Sequence, residues 1–401
     1  MTAIIVGGGV AGPATAMALQ HVGVEAVVLE RRTDRNPTEG SYFTIAPNGL
    51  DALDLLGVLD LARELGFPST TNVMYGATGR LLGELSLGVP LQDGSVALTA
   101  KRSLLAARLL DESERRGIEV RRGAEVVDVA SDANGATVTL AGGERLTANL
   151  VVGADGVRSK VRQAIDPAAP AGRYVGLTNF GGITRGTALA STLRPEAWHF
   201  VFGARAFFGA HPTPDGDVVW FVNVPEPEIS RERRAATSPE EWQRRLLDLV
   251  AGDDGPAAEL VADGVLELAG DNTYDLPHVP HWTRDRLVVV GDAAHAPSPS
   301  SGQGASMALE DAVVLATSVR DHAPTAVDLP AALRAYEQAR RARVERIVKA
   351  GARSSSFKTP GPVGRRFQEA AMTVVFRYLV TDRSTAWMTG SRLSWDASVV
   401  A

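Results

Sequence analysis

The sequence predicts an α/β fold in which a mostly antiparallel β-sheet interrupts a strand–helix–strand unit, with helices at the carboxyl end. The first thirty residues read as strand, glycine-rich turn, helix and strand. From about residue 173 to 268, strand-like stretches rich in aromatic residues alternate with turns, which is typical of an antiparallel sheet. A strand, a glycine-bearing turn and a helix return between residues 286 and 319. This order indicates that the first unit resumes after an insertion.

The amino-terminal unit has the pattern of a dinucleotide-binding turn. An apolar strand ends at Val6, and the segment GGGVAG (residues 7–12) leads into a helix-like run. Gly7 permits a tight turn, Gly9 lets the backbone approach a pyrophosphate, and Gly12 lets the helix pack closely against the strand. The free N–H groups of the first helical turn then face the phosphates.

Charged residues beside this unit are further candidates for binding. Glu30 ends the next strand, where its carboxylate can accept hydrogen bonds from ribose hydroxyls. Arg31 or Arg32 could reach an adenosine ribose or phosphate, or both could be solvated surface arginines. The alternative for the whole segment is a glycine-rich turn in an ordinary βαβ unit. The pattern does not distinguish NAD, NADP and FAD.

Two later segments place polar groups where strands end and helices begin. The segment GADGVRSKVR (residues 153–162) follows an apolar strand, so Asp155 lies either at a phosphate or cofactor contact or in a capped turn. Arg102 lies just before a helix predicted over residues 103–116, for which Ser103 is a good N-cap. A cation at that position could meet a phosphate or a flavin edge.

The returning strand, residues 286–290, leads into the segment GDAAHAPSPSSGQGAS, residues 291–306. A helix starting near Ala305 would favour an anion or a developing negative charge at its amino end. Asp292, at the strand end, could hold a polyol hydroxyl. His295 is either a base or a histidine bonded to a local carbonyl.

Composition excludes several classes of function. The chain has 401 residues, no cysteine and a formal charge of -6, which excludes disulfides and thiolate metal sites and argues against a nucleic-acid partner. No apolar run reaches the roughly 18 residues of a membrane span. A strand begins directly after Met1, where a signal peptide would otherwise stand. We therefore expect a cytoplasmic protein with no membrane partner, as a monomer or homodimer.

The carboxyl-terminal part is expected to be helical. Residues 331–354 predict a long covering helix with Arg340, Arg341 and Arg343 on its polar side. The tail from Phe367 to Trp395 is apolar enough to dock as one more helix.

Three separated segments together resemble one family. The segment 7–12 with Glu30, the segment 153–162 and the segment GDAAHAPSPSSGQGASMALEDA (residues 291–312) are similar, in order and spacing, to those of the group A FAD-dependent aromatic hydroxylases. The fold of that family is that of p-hydroxybenzoate hydroxylase. The resemblance implies a Rossmann-like FAD-binding domain of the GR2 type with an inserted substrate domain. The implied division is FAD-binding residues 1–70, 99–172 and 276–325, substrate-domain residues 71–98 and 173–275, and a helical region over residues 326–401.

The resemblance also implies FAD as cofactor, with NADH or NADPH as co-substrate and O2 as oxidant. Asp155 fits a motif thought to serve both FAD and NAD(P)H, and the helix start near Ala305 would stabilise negative charge on the reduced flavin ring. No metal is required, because the flavin activates oxygen. The expected FAD contacts are Gly7, Gly9, Val10, Ala11, Gly12, Glu30, Arg31, Arg102, Val126, Asp155, Asp292, Pro299, Gly302, Gln303, Gly304, Ala305 and Ser306.

The family chemistry implies that NAD(P)H reduces the flavin, and that a C4a-hydroperoxyflavin then oxygenates an electron-rich ring carbon of an aromatic or polyketide-type substrate. A base or cation near the substrate oxygen would help a phenol lose its proton. The candidates are Asn179, Arg205 and His211 on the inserted sheet, and Tyr42 from the amino-terminal part. Arg205 is the first choice because a guanidinium pairs with a phenolate or carboxylate.

Other functions remain open at this point. Baeyer–Villiger oxygenation uses the same fold, as do flavin reductases and halogenases, although the tryptophan-rich WxWxIP stretch of halogenases is absent from the sequence. A catalytically inactive flavin-binding protein is an alternative of another class. A nicotinamide dehydrogenase without flavin is the last alternative.

Overall fold

The computed structural model describes residues 1–34, 40–356 and 382–398. A six-stranded sheet forms the base of the molecule. Its central strands are parallel and buried on both faces, which is why they read as continuous apolar runs such as TAIIV and LVVG. In spatial order the strands are β18 (Thr283–Arg284), β19 (Leu287–Val289), β12 (Leu150–Gly153), β1 (Thr2–Val6), β2 (Glu25–Glu30) and β8 (Glu119–Arg122).

Helices cover this sheet. The most buried is α10, which has no exposed residue between Ser306 and Val319 because it packs between α1 and α11. The helices of this part are α1 (Ala11–His21), α4 (Arg102–Arg115), α5 (Lys160–Ile165), α9 (Asp292–His295), α10 (Gly304–His322) and α11 (Leu329–Ser356).

A seven-stranded sheet forms the second layer. Its neighbouring strands are antiparallel except β14 and β5, which are parallel. In spatial order the strands are β17 (Val265–Asp275), β13 (Arg173–Thr184), β16 (Val218–Pro225), β15 (Phe207–Pro212), β14 (Ala197–Phe202), β5 (Thr71–Gly76) and β6 (Leu81–Ser86).

The two faces of this sheet differ because side chains alternate along each strand. Phe180, Phe208 and Trp220 point to one face and form a core with Trp242 of the helical layer. That layer consists of α6 (Arg231–Ala236), α7 (Pro239–Val250) and α8 (Ala257–Asp263). The opposite face looks toward the six-stranded sheet across a groove.

Smaller elements connect the layers. One three-stranded sheet contains β3 (Tyr42–Ile45), β7 (Leu98–Lys101) and β4 (Phe67–Pro68), and another contains β9 (Val126–Ser131), β10 (Ala136–Leu140) and β11 (Arg145–Ala148). The remaining α-helices of the described chain are α2 (Pro47–Leu55), α3 (Leu59–Leu65) and α12 (Asp382–Thr389).

The predicted fold class is confirmed, with two local corrections. Helix α4 begins at Arg102 itself, and its N-cap is Lys101 rather than Ser103. Of the predicted tail helix, residues 367–381 lie outside the described residues, while α12 and Trp395 pack against the main core. The domain boundaries given above stay a prediction. The described helices include none whose length and apolar character would let it cross a bilayer.

Candidate active site

The predicted binding loops meet at one edge of the six-stranded sheet. Strands β1, β2, β12 and β19 are parallel neighbours, so the loops that follow their carboxyl ends emerge side by side, as ligand-binding loops do in open α/β sheets. These loops carry residues 7–12, Glu30, Asp155 and Asp292, and they border a continuous groove of about 2600 Å³.

The glycines of the first loop have different structural roles. Gly7 has a φ of 109°, and a Cβ there would lie 2.4 Å from the carbonyl oxygen of Ala154. A Cβ at Gly12 would lie 1.9 Å from the carbonyl oxygen of Gly7, so Gly12 sets how closely α1 packs and does not itself line the groove. A Cβ at Gly9 would meet nothing within 4 Å. The backbone at Gly9 is therefore open to a close-approaching ligand, as a pyrophosphate requires.

Charged and polar residues surround this glycine loop. Glu30 is buried, and its carboxylate accepts hydrogen bonds from the N–H groups of Gly8 (2.8 Å) and Arg32 (3.0 Å), which fixes it beside the turn. The groove is also bordered by several other predicted contacts, namely Val10, Ala11, Arg31, Arg102 and Val126.

Asp155 caps a helix at the edge of the groove. Its carboxylate accepts hydrogen bonds from the N–H of Lys160 at 2.7 Å and of Val161 at 3.3 Å, while its Oδ1 is buried with no partner in the described structure. Burial raises the pKa of Asp155 despite these hydrogen bonds. Asp155 therefore caps α5, as the capped-turn interpretation expects. It also borders the groove, and its contact with a cofactor stays a prediction.

Arg162 ties two of the loops together, and sequence analysis assigned it no role. Its guanidinium is 1% exposed and donates to the carbonyl oxygens of Val157 (2.7 Å) and Ala293 (3.0 Å). These carbonyls belong to the loops that contain Asp155 and Asp292. The basic residues that follow the Asp-Gly turn were the only sequence signal for Arg162. Its partner, the carbonyl of Ala293, lies 131 residues away, so the sequence does not predict the contact.

The last loop lies at the amino end of α10. Asp292, Pro299, Gly302, Gln303, Gly304 and Ala305 all border the groove. Ser306 does not, because its buried hydroxyl accepts a hydrogen bond from the N–H of Ala46 at 3.1 Å. Because α10 begins at Gly304 and has 19 residues, the positive end of its dipole points at this part of the groove.

A buried network of charges supports this loop from behind. Arg340 donates to Asp311 (2.7 Å) and pairs with Glu310 (2.7 Å), and both carboxylates are 0% exposed. His295 Nε2 lies 2.5 Å from Asp311 Oδ2. Burial opposes ionisation of Asp311, but the neighbouring His295 and Arg340 hold its pKa below the ordinary value. Asn48 links the network to the loop by donating to Glu310 (2.8 Å) and to Gln303 (3.1 Å).

This network corrects two expectations. His295 bonds to the Asp311 carboxylate rather than to a local carbonyl, and Arg340 is 2% exposed rather than on the polar face of its helix. The ion pairs are formed with α10, a different helix, so the periodicity of α11 alone does not reveal them.

The seven-stranded sheet supplies the opposite wall of the groove with five aromatic rings. Their centroids lie 4.9 to 6.0 Å apart, in tilted, stacked and edge-on contacts. Gly209 makes room between two of them, because a Cβ there would lie 2.4 Å from Phe221 and 3.0 Å from Phe200. We call this surface the aromatic wall; it consists of Trp198, Phe200, Phe202, Phe207 and Phe221.

Polar groups flank the aromatic wall. Asn179 borders the groove, donating to the Thr273 hydroxyl at 2.8 Å and accepting from the Asn223 amide. Tyr42 borders it from β3, and burial together with the nearby Glu267 raises the pKa of its phenol. Tyr42 therefore stays neutral at physiological pH.

The structure does not bring Arg205 or His211 into the groove. Arg205 lies in the β14–β15 turn, is half exposed, and pairs with Asp248 on α7 at 3.1 Å. His211 is buried behind Trp198, with Nε2 2.9 Å from the Ser69 hydroxyl, and burial lowers its pKa to about 4. These placements do not support the predicted contacts with substrate.

Sequence analysis also missed a charged pair at the groove. Lys101 Nζ lies 2.8 Å from Glu267 Oε2, and the two side chains are 10% and 12% exposed. Glu267 borders the groove, on β17 of the same sheet that carries the aromatic wall. The alternation of residues in LELAG (residues 266–270) was a weak indication that the Glu267 side chain points away from its apolar neighbours. The ion pair with Lys101 depends on the contact between β7 and β17, which the sequence does not show.

Comparisons with known proteins agree with this geometry. The sequence model of a family described as "FAD binding domain" matches residues 1–351. An FAD-dependent urate hydroxylase of Mycolicibacterium vanbaalenii is 31% identical over 87% of this chain and 86% of its own. The 2-heptyl-3-hydroxy-4(1H)-quinolone synthase of Pseudomonas aeruginosa is 32% identical over 87% of both chains. The crystal structure of Klebsiella pneumoniae HpxO with FAD and uric acid superposes with a TM-score of 0.82 at 26% identity, covering 97% of this chain and 96% of that one.

The fold and the groove thus define an FAD-binding protein. The chain belongs to the group A FAD-dependent aromatic hydroxylase family of flavoprotein monooxygenases.

Proposed function

We propose that the protein is an FAD-dependent monooxygenase that uses NAD(P)H and O2 to hydroxylate an aromatic substrate bound on the aromatic wall. The observation that carries the proposal is that the glycine loops and the aromatic wall border the same groove. A cofactor held by the loops would therefore face a substrate stacked on the wall.

The described residues fit FAD. Gly9 leaves space for a pyrophosphate, and Glu30 lies at the end of β2, where ribose hydroxyls would be held. Asp292 would hold the ribityl or pyrophosphate part, and the amino end of α10 would face the ring, where its dipole stabilises negative charge. Bound FAD supplies the redox chemistry, taking electrons from NAD(P)H and activating O2.

The side chains of the chain itself bind, orient and exclude water. The aromatic wall offers ring faces for offset stacking and removes water from the reacting ring. The bonded amides of Asn179 and Asn223 lie beside it. Tyr42 is a neutral phenol there, because burial raises its pKa, and it offers a hydrogen bond rather than a charge. We propose Asn179 and Tyr42, but neither Arg205 nor His211, as substrate contacts.

The test combines flavin content with stimulated turnover. The purified protein should carry FAD, oxidise NAD(P)H faster when an aromatic ligand is added, and yield a product one oxygen atom heavier. Phe221→Ala should keep FAD but raise KM about tenfold or more, since it removes a central ring of the wall. A yellow protein with no ligand-stimulated oxidation across phenols, aromatic acids and polycyclic compounds would indicate an inactive flavin-binding protein. A colourless protein active with NAD(P)H would indicate a dehydrogenase.

A further inference from the structure

The sheet that carries the aromatic wall does not present to the groove the positive charges that an anion-binding site needs. Of the groove-lining residues on the described strands of the seven-stranded sheet, none is lysine, arginine or histidine. Two are carboxylates, Glu267 and Asp271. Asp271 is about half exposed and pairs with Arg234 at 3.2 Å, so Glu267, whose side chain is 12% exposed, is the less exposed negative charge on this surface.

The nearby lysine does not reverse this charge. Lys101 is not among the groove-lining residues, whereas Glu267 is, and the Lys101 ammonium is 2.8 Å from the Glu267 carboxylate. Of this pair, only the carboxylate therefore borders the groove that a ligand would occupy. A carboxylate has about four lone-pair sites, so an ion pair with one ammonium leaves acceptor sites for a ligand.

We infer that this groove selects an uncharged aromatic substrate of at least two fused rings, with a hydroxyl or N–H that donates a hydrogen bond to Glu267, and that it rejects aromatic carboxylates. The inference rests on the proposed function for the identity of the bound molecule as substrate. The five rings of the wall come from three adjacent strands, β14, β15 and β16, which span about 10 Å. A single six-membered ring covers only part of such a surface.

Electrostatics and hydrogen bonding both act in this direction. An anion next to a mostly buried carboxylate is repelled, and a local dielectric below that of water strengthens the repulsion. A phenol or ring N–H instead donates a charge-assisted hydrogen bond, which is stronger than one between neutral groups. Glu267 therefore determines specificity by favouring a neutral donor over an anion with the same ring.

The test uses three ligands with the same fused ring and different charge or donor groups. Binding of 2-naphthol, 2-naphthoate and 2-methoxynaphthalene to the FAD-loaded protein is measured by calorimetry at pH 7 without NAD(P)H, so no turnover occurs. We expect 2-naphthol to bind at least tenfold more tightly than 2-naphthoate and several-fold more tightly than 2-methoxynaphthalene. Equal or tighter binding of 2-naphthoate would overturn the inference.

Variants connect the selectivity to one carboxylate. Glu267→Gln should lose the preference for 2-naphthol over 2-naphthoate or reverse it, because the Lys101 charge is then uncompensated. The double variant Lys101→Met with Glu267→Gln removes both charges, and should bind the two ligands within about threefold of each other. The double variant also tests the role of Glu267 if the single variant Glu267→Gln does not fold. An unchanged tenfold preference in either variant would overturn the role of Glu267.

Turnover separates this inference from the proposed function. Charge-selective binding without ligand-stimulated NAD(P)H oxidation by any compound would leave the selectivity intact and refute the monooxygenase. Stimulated oxidation and oxygenation of 2-naphthoate as efficient as that of 2-naphthol would support the monooxygenase and refute the selectivity.

Discussion

The two walls of the groove are built in opposite ways. On the FAD side, backbone groups at glycines and a helix start form the surface, and Gly7 and Gly12 are in contacts that leave no room for a side chain. On the substrate side, large side chains form the surface, and Gly209 serves to make room for their rings. The first wall depends on positions in its loops that lack a side chain, whereas the second consists of large side chains.

The difference affects how each wall tolerates substitution. A loop that holds a dinucleotide by its backbone depends on local conformation, so one added methyl group can abolish binding. A wall of rings is part of a sheet whose register is fixed by many strand pairs, so a ring can change and leave the fold intact. Mutations on the first wall should therefore affect cofactor binding, together with the fold where the glycine is closely packed, whereas mutations on the second wall should affect substrate alone.

The largest expected effect is on the charges that support the FAD side. Arg340→Met leaves Glu310 and Asp311 buried without the guanidinium they share, which should cost about 3–5 kcal/mol of stability and reduce the flavin content. Chemical denaturation of the FAD-loaded protein measures the first effect, and absorbance of the purified protein measures the second. Arg334→Met on the same helix is the control, because Arg334 is exposed and its loss should change stability by less than about 0.5 kcal/mol. A loss below about 1 kcal/mol for Arg340→Met would contradict the network's role.

Two glycines of the same loop sharpen the comparison. Gly12→Ala forces a Cβ to within 1.9 Å of a backbone carbonyl, so it should destabilise the apoprotein by about 3 kcal/mol and abolish FAD binding. Gly9→Ala places its Cβ in open space, so apoprotein stability should stay within about 0.5 kcal/mol of the original while FAD affinity falls about tenfold. Thermal unfolding without FAD and titration with FAD distinguish the two effects. If both variants behaved alike, the separate roles of these glycines would be wrong.

The same contrast explains what the sequence could predict. Gly7 has a positive φ, and the close contact of Gly12 is with the carbonyl of Gly7, five residues away, so a local pattern was enough to predict the loop. The alternation of Trp198, Phe200 and Phe202 indicates that they share one face of a strand, but it does not indicate whether that face lines a groove or packs in a core. The domain boundaries remain a prediction.

Several residues that sequence analysis missed or misplaced depend on contacts between distant elements. Lys101 and Glu267 lie on strands of different sheets, and Arg340 is buried because its partners lie on α10. No spacing within one element encodes such pairs. Arg205 shows the converse error, since an arginine in a sheet domain was assigned to the substrate although a tight turn directs it to the opposite face.

The smallest expected effect tests that error within a single hairpin. Arg205→Ala removes a half-exposed pair with Asp248, which contributes at most about 1 kcal/mol, so stability, FAD content and stimulated turnover should stay nearly unchanged. Phe207→Ala, two residues further along the hairpin, removes a ring of the aromatic wall and should raise KM with FAD still bound. Steady-state kinetics of both variants with the same aromatic ligand measures the difference. A tenfold loss of kcat/KM for Arg205→Ala would show that the turn moves toward the groove when substrate binds, and the guanidinium would then be a substrate contact after all.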